Sequence, residues 1–279
     1  MTIPSIHITV LVNDTAEEGL RPEHGLSLWI EAGNRRILFD TGQGGVLAQN
    51  ARVLDVDLST ADYLVLSHGH YDHTGGVPVA LEAGPAVQVF CHPGVFLRRY
   101  SIRNGTAKPV HMPEDSRLSL EALPKNRLHV SAEPALIGPG IGTTGAVPRD
   151  TAREDTGGPF YLDPDGRRPD PLEDDGALWF STQYGLVICA GCSHAGLINT
   201  LNRCRQVSGT RKIHAVIGGF HLQEASRDRL DRTVEALMSE PPDLMVPCHC
   251  TGENAVRRLT EAFVGRVRTC RAGMRFQFG

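Results

Sequence analysis

A cluster of residues that commonly bind metal ions lies at positions 67–73, where the sequence is SHGHYDH. Three imidazoles and one carboxylate occur here, directly after a short apolar run that predicts a β-strand. If such groups are buried they need partners, and a bound cation supplies them. A turn leaving a strand can direct His68 and His70 to one side and Asp72 and His73 to the other, which suits two neighbouring cations. A solvated polar loop would explain a single histidine, but it explains this pattern poorly.

Three further turns place histidine or cysteine at the end of a predicted strand. The first carries Cys192 and His194, the second carries His221, and the third carries His249. Strands and helices are predicted to alternate in this part of the chain: strands 178–181 and 186–190, helix 197–207, strand 213–217, helix 227–238, strand 244–246 and helix 254–263. Because each of these turns follows a strand, we expect their side chains to converge with the 67–73 cluster at one rim of the folded protein.

The N-terminal third of the chain is also predicted to be rich in strands. Short apolar runs bounded by Gly, Asn and Asp occur at 6–12, 26–32, 36–39 and 63–66. The second and third runs, joined by Gly33-Asn34, are typical of a hairpin. We find no internal repeat and no linker, so residues 1–279 are predicted to form one domain.

Residues 92–175 have a different composition from the rest of the chain. They contain 11 of the 18 prolines and several glycine-rich tracts, and they predict only short strands. Long segments with little regular structure are usually functional loops or disordered stretches. We therefore predict a lid or substrate loop over a site, with local disorder at 163–175 as the alternative.

Composition excludes several classes of function. The 279-residue chain has a net charge of −4 and a pI of about 6.3. A protein that binds nucleic acid or an anionic membrane through a basic field would carry the opposite balance. No apolar run approaches the roughly 18 residues of a membrane span, and the N-terminus lacks the basic start and apolar core of a signal peptide. We expect a cytoplasmic protein that acts on a small molecule, with no nucleic-acid or membrane partner.

The chain has seven cysteines, which could form disulfides, bind a structural metal ion or remain reduced. Their odd number in a long chain argues against a secreted disulfide framework. Cys189 with Cys192, and Cys248 with Cys250, form two close pairs that could make a structural zinc site. Both pairs lie in apolar, strand-like runs rather than in a zinc-knuckle loop, so we favour reduced thiols.

The motif His68-x-His70-x-Asp72-His73, followed by two glycines, resembles the signature of the metallo-β-lactamase superfamily. The preceding segment ILFDTG resembles the strand and turn that lead into the signature in that fold. The resemblance implies an α/β fold, a four-layer αβ/βα sandwich with two mixed sheets, helices outside and a dinuclear metal site along one edge. It also implies that His68 and His70 bind one metal ion and that Asp72 and His73 bind the second.

The later turns match the places where the superfamily supplies its remaining ligands. The first turn usually presents a bridging Asp, or a Cys in some lactamases; the candidates here are Cys192 and His194. We favour His194, with Cys192 as a small packed residue. His249 is expected to bind the second ion. His221 lies 28 residues before His249 and resembles the general acid of phosphodiesterase members, with a supporting or packing role as its alternative.

One feature departs from the superfamily pattern. Members usually carry a ligand histidine in a Pro-Gly-His turn between the signature and the Asp or Cys turn. The corresponding stretch, 138–143, reads GPGIGT and contains no histidine. Either His194 supplies this imidazole from another direction, or one metal ion has fewer protein ligands and is held weakly.

The combination SHGHYDHTGG, GIGTTG, GCSHAG, GGFHL and HCTG resembles one subgroup of the superfamily over about residues 1–275. The subgroup carries the name 7,8-dihydropterin-6-yl-methyl-4-(β-D-ribofuranosyl)aminobenzene-5′-phosphate synthase. That name implies a metal-dependent transferase that condenses a dihydropterin with a ribofuranosylaminobenzene phosphate. The motifs are specific to the subgroup, whereas the substrate is not.

Together these observations predict a metal-dependent hydrolase that uses one or two divalent cations to activate water against a phosphoester or similar ester. Zn²⁺ is the first choice for an imidazole-rich set, with Mn²⁺ or Fe as alternatives. Asp72 is expected also to orient the nucleophile, and His221 to donate a proton. The transferase and a di-iron redox or sensor protein remain alternatives. Four basic residues could hold a substrate phosphate or form a solvated face: Arg98, Arg99, Arg103 and Lys108.

Overall fold

The N-terminal part of the chain forms strands because β-branched and aromatic residues recur there in short apolar runs. The computed structural model describes residues 2–151 and 154–279. Its first strands are β1 (Ile6–Val12), β2 (Ser27–Ala32) and β3 (Arg35–Phe39). β2 and β3 pair as the predicted hairpin, and Gly33 in its turn has a φ of +62°, a conformation that glycine adopts without steric cost.

Short helices and further strands alternate along the rest of the chain. In order they are α1 (Leu47–Val53), β4 (Tyr63–Val65), α2 (Tyr71–Thr74), α3 (Val77–Ala83), β5 (Gln88–Cys91), β6 (Tyr100–Arg103), β7 (Thr106–Pro109), α4 (Glu114–Glu121), β8 (Leu128–Val130), β9 (Ala135–Gly138), β10 (Ile141–Thr143), β11 (Phe160–Tyr161), β12 (Ala177–Thr182), β13 (Gly185–Ala190), α5 (Leu197–Ser208), β14 (Ile213–Gly219), α6 (Arg227–Ser239), β15 (Leu244–Cys248), α7 (Glu253–Ala262) and β16 (Arg275–Phe278). Within the described ranges, none of the helices has the length and apolar character that a membrane crossing requires.

The strands assemble into two large sheets and one small one. The first large sheet has the order β16-β1-β2-β3-β4-β5-β8, and the second has the order β15-β14-β13-β12-β10-β9. Both are mixed, since antiparallel hairpins occupy one part and parallel strands the other. The small sheet has the order β11-β6-β7.

The two large sheets pack face to face across an apolar core. Ile8 and Phe39 of the first sheet belong to the same buried cluster as Phe180 and Ile217 of the second. Burying one such side chain contributes about 1.5–3 kcal/mol. A second buried cluster joins α1, α3 and α4 to the outer face of the first sheet, and a third joins α5, α6 and α7 to the outer face of the second. The predicted four-layer α/β sandwich is confirmed.

Residues 92–175 contribute to all three sheets. β8 extends the edge of the first large sheet, while β9 and β10 form the edge of the second. β6, β7 and β11 form the small sheet. The segment that we predicted as a lid therefore contains edge strands of the sandwich as well as a separate covering sheet.

Candidate metal centre

The turns that follow β4, β13, β14 and β15 lie together at one edge of the sandwich and carry the predicted site residues. Three residues in these turns have positive φ angles, +56° at Ser193, +46° at His221 and +45° at His249. Non-glycine residues seldom adopt this conformation, and the strain persists only where the surrounding structure holds it. The backbone is thus in a strained, left-handed conformation at these three residues.

A first cluster of donor atoms is formed by His68, His70 and His194 together with Cys192. Nε2 of His68 lies 3.1 Å from Nδ1 of His70. The ring of His194 is centred 4.8 Å from that of His68 and 4.9 Å from that of His70. Donor atoms of His68, Cys192 and His194 all lie within 4.8 Å of one another. These four side chains are buried.

A second cluster is formed by Asp72, His73 and His249, again with Cys192. Nε2 of His249 lies 3.3 Å from Oδ2 of Asp72, and Sγ of Cys192 lies 3.1 Å from Nε2 of His73. Donor atoms of His73, Cys192 and His249 lie within 4.8 Å of one another. The sulfur of Cys192 therefore lies between the two clusters and within reach of both.

Hydrogen bonds to Nδ1 hold the rings of His68, His73 and His194 in place. Nδ1 of His73 lies 2.7 Å from Oδ2 of Asp40, and the hydroxyl of Ser67 donates to the same oxygen at 2.6 Å. Ser67 Oγ also lies 2.9 Å from Nδ1 of His68. Nδ1 of His194 donates to the carbonyl oxygen of Thr156 at 2.8 Å. Such contacts on one ring nitrogen orient the other nitrogen, and they accompany metal-binding histidines almost always.

The two clusters differ in their affinity for protons. Burial lowers the pKa of His68 and of His194 far below the usual value, and it lowers the pKa of His70 to about 3. Burial opposes charge on Asp72 as well, but hydrogen bonds from His24 and His249 outweigh it and hold the pKa of Asp72 well below normal. The first cluster thus consists of neutral imidazoles, and the second contains an ionised carboxylate.

The donor set fits a divalent metal ion. Among the described residues, the buried Nε2 of His194 has no hydrogen-bond partner, although it belongs to a ring whose other nitrogen is fixed. Two ligands of one tetrahedral Zn²⁺ ion, with bonds of about 2.0–2.3 Å, lie roughly 3.3–3.7 Å apart. The separations of 3.1–3.3 Å in these clusters are close to that value. Imidazole, thiolate and carboxylate together suit zinc, with manganese and iron also compatible.

His221 lies beside the first cluster. Its ring is centred 4.2 Å from that of His194, and among the described residues its buried Nδ1 has no hydrogen-bond partner. Donor atoms of His221, Cys192 and Cys250 lie within 4.8 Å of one another, and the two sulfur atoms are 3.4 Å apart. Cys250, which the sequence marked only as part of a cysteine pair, is therefore part of the site.

Three other residues at the site were missed by the sequence analysis. Nε2 of His24 lies 3.2 Å from Oδ2 of Asp72, and Asp14 contacts both His24 and His249. The third, Asp40, occurs in the ILFDTG segment that carries the resemblance. No motif in the sequence marks His24 or Asp14 as a site residue. Both lie far from the 67–73 motif along the chain, and the sequence does not show that the fold brings them close to it.

A cavity of about 440 Å³ opens onto the two clusters. The cluster side contributes His24, His70, Asp72 and His221 among others, and the small sheet contributes Arg103, Lys108 and Phe160 from the opposite side. Arg103 forms an exposed ion pair with Glu224 at 2.7 Å, and Nζ of Lys108 lies 3.4 Å from the hydroxyl of Tyr71. The small sheet therefore forms one wall of the cavity.

Arg99, predicted with its neighbours as a phosphate ligand or a solvated residue, is buried. Its guanidinium donates two hydrogen bonds of 2.6 Å to Asp174 and one of 2.7 Å to Asp170. Asp174 in turn accepts a hydrogen bond of 2.8 Å from the backbone N–H of Gly69, between the first two motif histidines. Arg99 thus joins the 92–175 segment to the loop that carries the 67–73 motif.

Comparison with known proteins identifies the family. The sequence model of the metallo-β-lactamase superfamily matches residues 20–249. The chain belongs to this superfamily. It is 30% identical to the 7,8-dihydropterin-6-methyl-4-(β-D-ribofuranosyl)-aminobenzene-5′-phosphate synthase of Methanocaldococcus jannaschii, over 99% of this chain and 98% of that protein.

Two further relatives cover most of the chain. An uncharacterised protein of the same organism is 35% identical over 91% of this chain and 94% of its own length. The crystal structure of Tm1679, described as a metal-dependent hydrolase of the β-lactamase superfamily, superposes with a TM-score of 0.80 at 29% identity, covering 97% of this chain and 98% of that one. The whole architecture is therefore shared with metallo-β-lactamase superfamily members.

The superfamily's Pro-Gly-His turn has no counterpart in the first cluster. Residues 138–143, where we expected it, comprise the end of β9, the two-residue turn Pro139-Gly140 and β10, and Ile141 pairs with Phe180 of β12. His194 instead brings a third imidazole to His68 and His70. In this superfamily member, the turn after β13 therefore presents two donor side chains to the site, Cys192 and His194.

Proposed function

We propose that the protein is a metal-dependent hydrolase that holds one divalent cation in the first cluster and a second in the second cluster. The observation that carries this proposal is the position of Cys192, whose sulfur lies among the donor atoms of both clusters. Cys192 would help to hold both cations, and as a thiolate it would bring negative charge to a first cluster that has no carboxylate ligand. His194 would supply the third imidazole of the first cluster.

Zn²⁺ is the proposed metal, with Mn²⁺ or Fe as alternatives. Elemental analysis of protein purified without added metal is expected to find between one and two equivalents. The same measurement separates zinc from a di-iron centre, and a di-iron protein would also absorb visible light. A protein that contains negligible metal and takes up none on reloading would contradict the proposal.

The residues of the site have distinct roles in the proposed hydrolysis. A bound cation can lower the pKa of a water molecule to about 7 and polarise an ester oxygen. Asp72, which hydrogen bonds keep ionised, would accept a hydrogen bond from the attacking water and orient it. His221 lines the cavity and would donate a proton to the leaving oxygen. Asp40 and Asp14 would hold His73 and His249 in position.

The cavity supports a small, phosphate-bearing substrate. Its volume of about 440 Å³ lies within the range of small-molecule sites. Arg103 and Lys108 on the small sheet line the same cavity as the clusters and would bind a phosphate, while Phe160 presents an aromatic surface. The small sheet would act as the lid that excludes water during the reaction.

Hydrolysis of bis(p-nitrophenyl) phosphate with added Mn²⁺ or Zn²⁺ tests the proposal. We expect turnover by the loaded protein and its loss in Asp72→Ala. Asp165→Ala is the matched control, because Asp165 is an exposed carboxylate whose ion pair with Arg167 is long, at 3.6 Å. Equal loss in both variants would mean that the measured hydrolysis does not depend on the site.

The transferase is a second candidate, supported by the synthase name of the relative that matches nearly the whole chain. It would use the same metal centre to join the methylene carbon of a dihydropterin pyrophosphate to a ribofuranosylaminobenzene phosphate, with release of pyrophosphate. Incubation with a dihydropterin pyrophosphate and the aminobenzene partner, followed by mass spectrometry, tests it. Product formation without phosphodiester hydrolysis would replace the first proposal by this one.

We also propose a reducing compartment such as the cytoplasm as the location of the protein. All seven cysteines are free and buried, which supports this placement.

A further inference from the structure

A histidine outside every sequence motif faces the second cluster. His24 lies in the loop between β1 and β2, and its Nε2 is 3.2 Å from Oδ2 of Asp72. Nε2 of His249 lies 3.3 Å from the same oxygen, and the two rings are centred 4.7 Å apart. His24 and His249 therefore approach Asp72 in equivalent ways.

One carboxylate supports both imidazoles. Oδ1 of Asp14 lies 2.6 Å from Nδ1 of His249, and Oδ2 of Asp14 lies 3.0 Å from Nδ1 of His24. Histidines that bind metal ions commonly donate the N–H of their other ring nitrogen to a carboxylate in this way. The contact leaves Nε2 of each ring directed at Asp72, so His24 has the same support as the proposed ligand His249.

The backbone around His24 fixes its approach to Asp72. The carbonyl oxygen of His24 accepts a hydrogen bond of 2.7 Å from Nε2 of Gln43, and the N–H of Gly25 donates to Asp14 at 3.2 Å. Gly25 has a φ of +140°, and a Cβ atom at this position would lie 2.3 Å from the carbonyl oxygen of Asp72. Only glycine allows the two backbones to come this close. The His24 side chain is half exposed, at 52%, yet its main chain is held from both sides.

We propose that His24 is a further ligand of the second cation, through Nε2. This inference rests on the metal centre of the proposed function. The separations of 3.2 and 3.3 Å from Asp72 to the two histidines are compatible with donor atoms that share one Zn²⁺ ion through bonds of about 2.0–2.1 Å. The second cation would then have five protein donors, counting Cys192, against four for the first.

The test measures metal binding rather than turnover. Full-length protein is loaded with Co²⁺, and the affinity of each site and its visible absorption are recorded for the wild type and for His24→Ala. His214→Ala is the matched control, because Nδ1 of His214 also lies 3.0 Å from a carboxylate oxygen, that of Asp243, at the opposite end of β14. We expect His24→Ala to weaken one of the two sites roughly 10–100-fold and to change its spectrum. His214→Ala should leave both unchanged.

Added imidazole provides a second measurement that a change in folding would not imitate. If His24 is a ligand, free imidazole should restore the spectrum of His24→Ala towards that of the wild type. Wild-type affinities and spectrum in His24→Ala would overturn the inference, and a loss of hydrolysis alone would then assign His24 to substrate contact. Failure of the wild type to bind Co²⁺ would instead contradict the proposed function itself.

Discussion

The first and second clusters use the same residue type under opposite electrostatic conditions. His68, His70 and His194 are buried next to one another, and burial lowers the pKa of His70 to about 3. Beside the second cluster, hydrogen bonds to Asp14 and Asp72 raise the pKa of His24 to about 9. The difference shows that the neighbouring groups, rather than the imidazole itself, decide whether a site is neutral or already carries protons that a cation must displace.

The largest expected effect is on the free energy of unfolding, through the buried ion pairs of Arg99 behind the first cluster. Arg99→Ala should lower the free energy of unfolding by roughly 3–5 kcal/mol, because it leaves the buried carboxylates of Asp170 and Asp174 without their partner. Arg103→Ala removes the exposed pair with Glu224 beside the cavity and should cost about 0–1 kcal/mol. Urea unfolding of both variants measures these free energies. Similar decreases in the two variants would contradict the conclusion that the buried pairs of Arg99 matter more to stability than the exposed pair of Arg103.

Removal of one ligand from each cluster should separate the two cations. His194→Ala and Asp72→Asn are each expected to lose about one metal equivalent, from different clusters, and to lower hydrolysis roughly 10²–10³-fold. Metal analysis together with turnover provides the measurement. His129→Ala, in a half-exposed histidine that contacts Gln88 on the first sheet, is the control. Loss of both cations in each variant would show that the clusters form one inseparable site.

The supporting hydrogen bonds allow a finer separation. Ser67 contacts His68 and Asp40, whereas Asp40 also contacts His73. Ser67→Ala should therefore weaken binding mainly in the first cluster, and Asp40→Asn should weaken both, each by roughly 10–100-fold. Competition with a chromophoric chelator gives the affinities. If Asp40→Asn lowers the metal affinity of only one cluster, Asp40 does not support both clusters.

The smallest predicted effect is a difference in pH dependence. A pKa of about 3 keeps His70 neutral between pH 8 and pH 6, so protons do not compete for its imidazole there. Burial opposes charge on His249, but the negative charge of Cys250 and hydrogen bonds to Asp14 and Asp72 outweigh it and raise the pKa of His249 well above normal. The proposed second cation must therefore displace a proton from His249, and lowering the pH strengthens that competition. Burial raises the pKa of the Cys192 thiol, which both clusters share, so acidification should weaken both sites through this residue. The second site should lose roughly tenfold more affinity per pH unit than the first. Metal titrations at pH 6, 7 and 8 measure this, and release of the first cation before the second would reverse the assignment.

The fold followed from the sequence where its signals are local. The hairpin at Gly33-Asn34, the strand before the 67–73 motif and the alternation of strands and helices after residue 177 all depend on neighbouring residues. In the 92–175 segment the sequence predicted short strands, which β8 and β9 confirm, but not that they lie at the edges of the two large sheets. Edge strands tolerate glycines and prolines, so composition alone did not distinguish sheet edges from a covering loop.

The sequence by itself determined which turns carry donor side chains, since each motif is a short run after a strand. The tertiary structure alone decided how those donors are grouped: it put Cys192 between the clusters, His194 beside the first two motif histidines, and Asp14 behind both His24 and His249. The physical reason is that sheet pairing and the packing of two sheets bring distant turns to one edge, and residue spacing along the chain does not encode those distances.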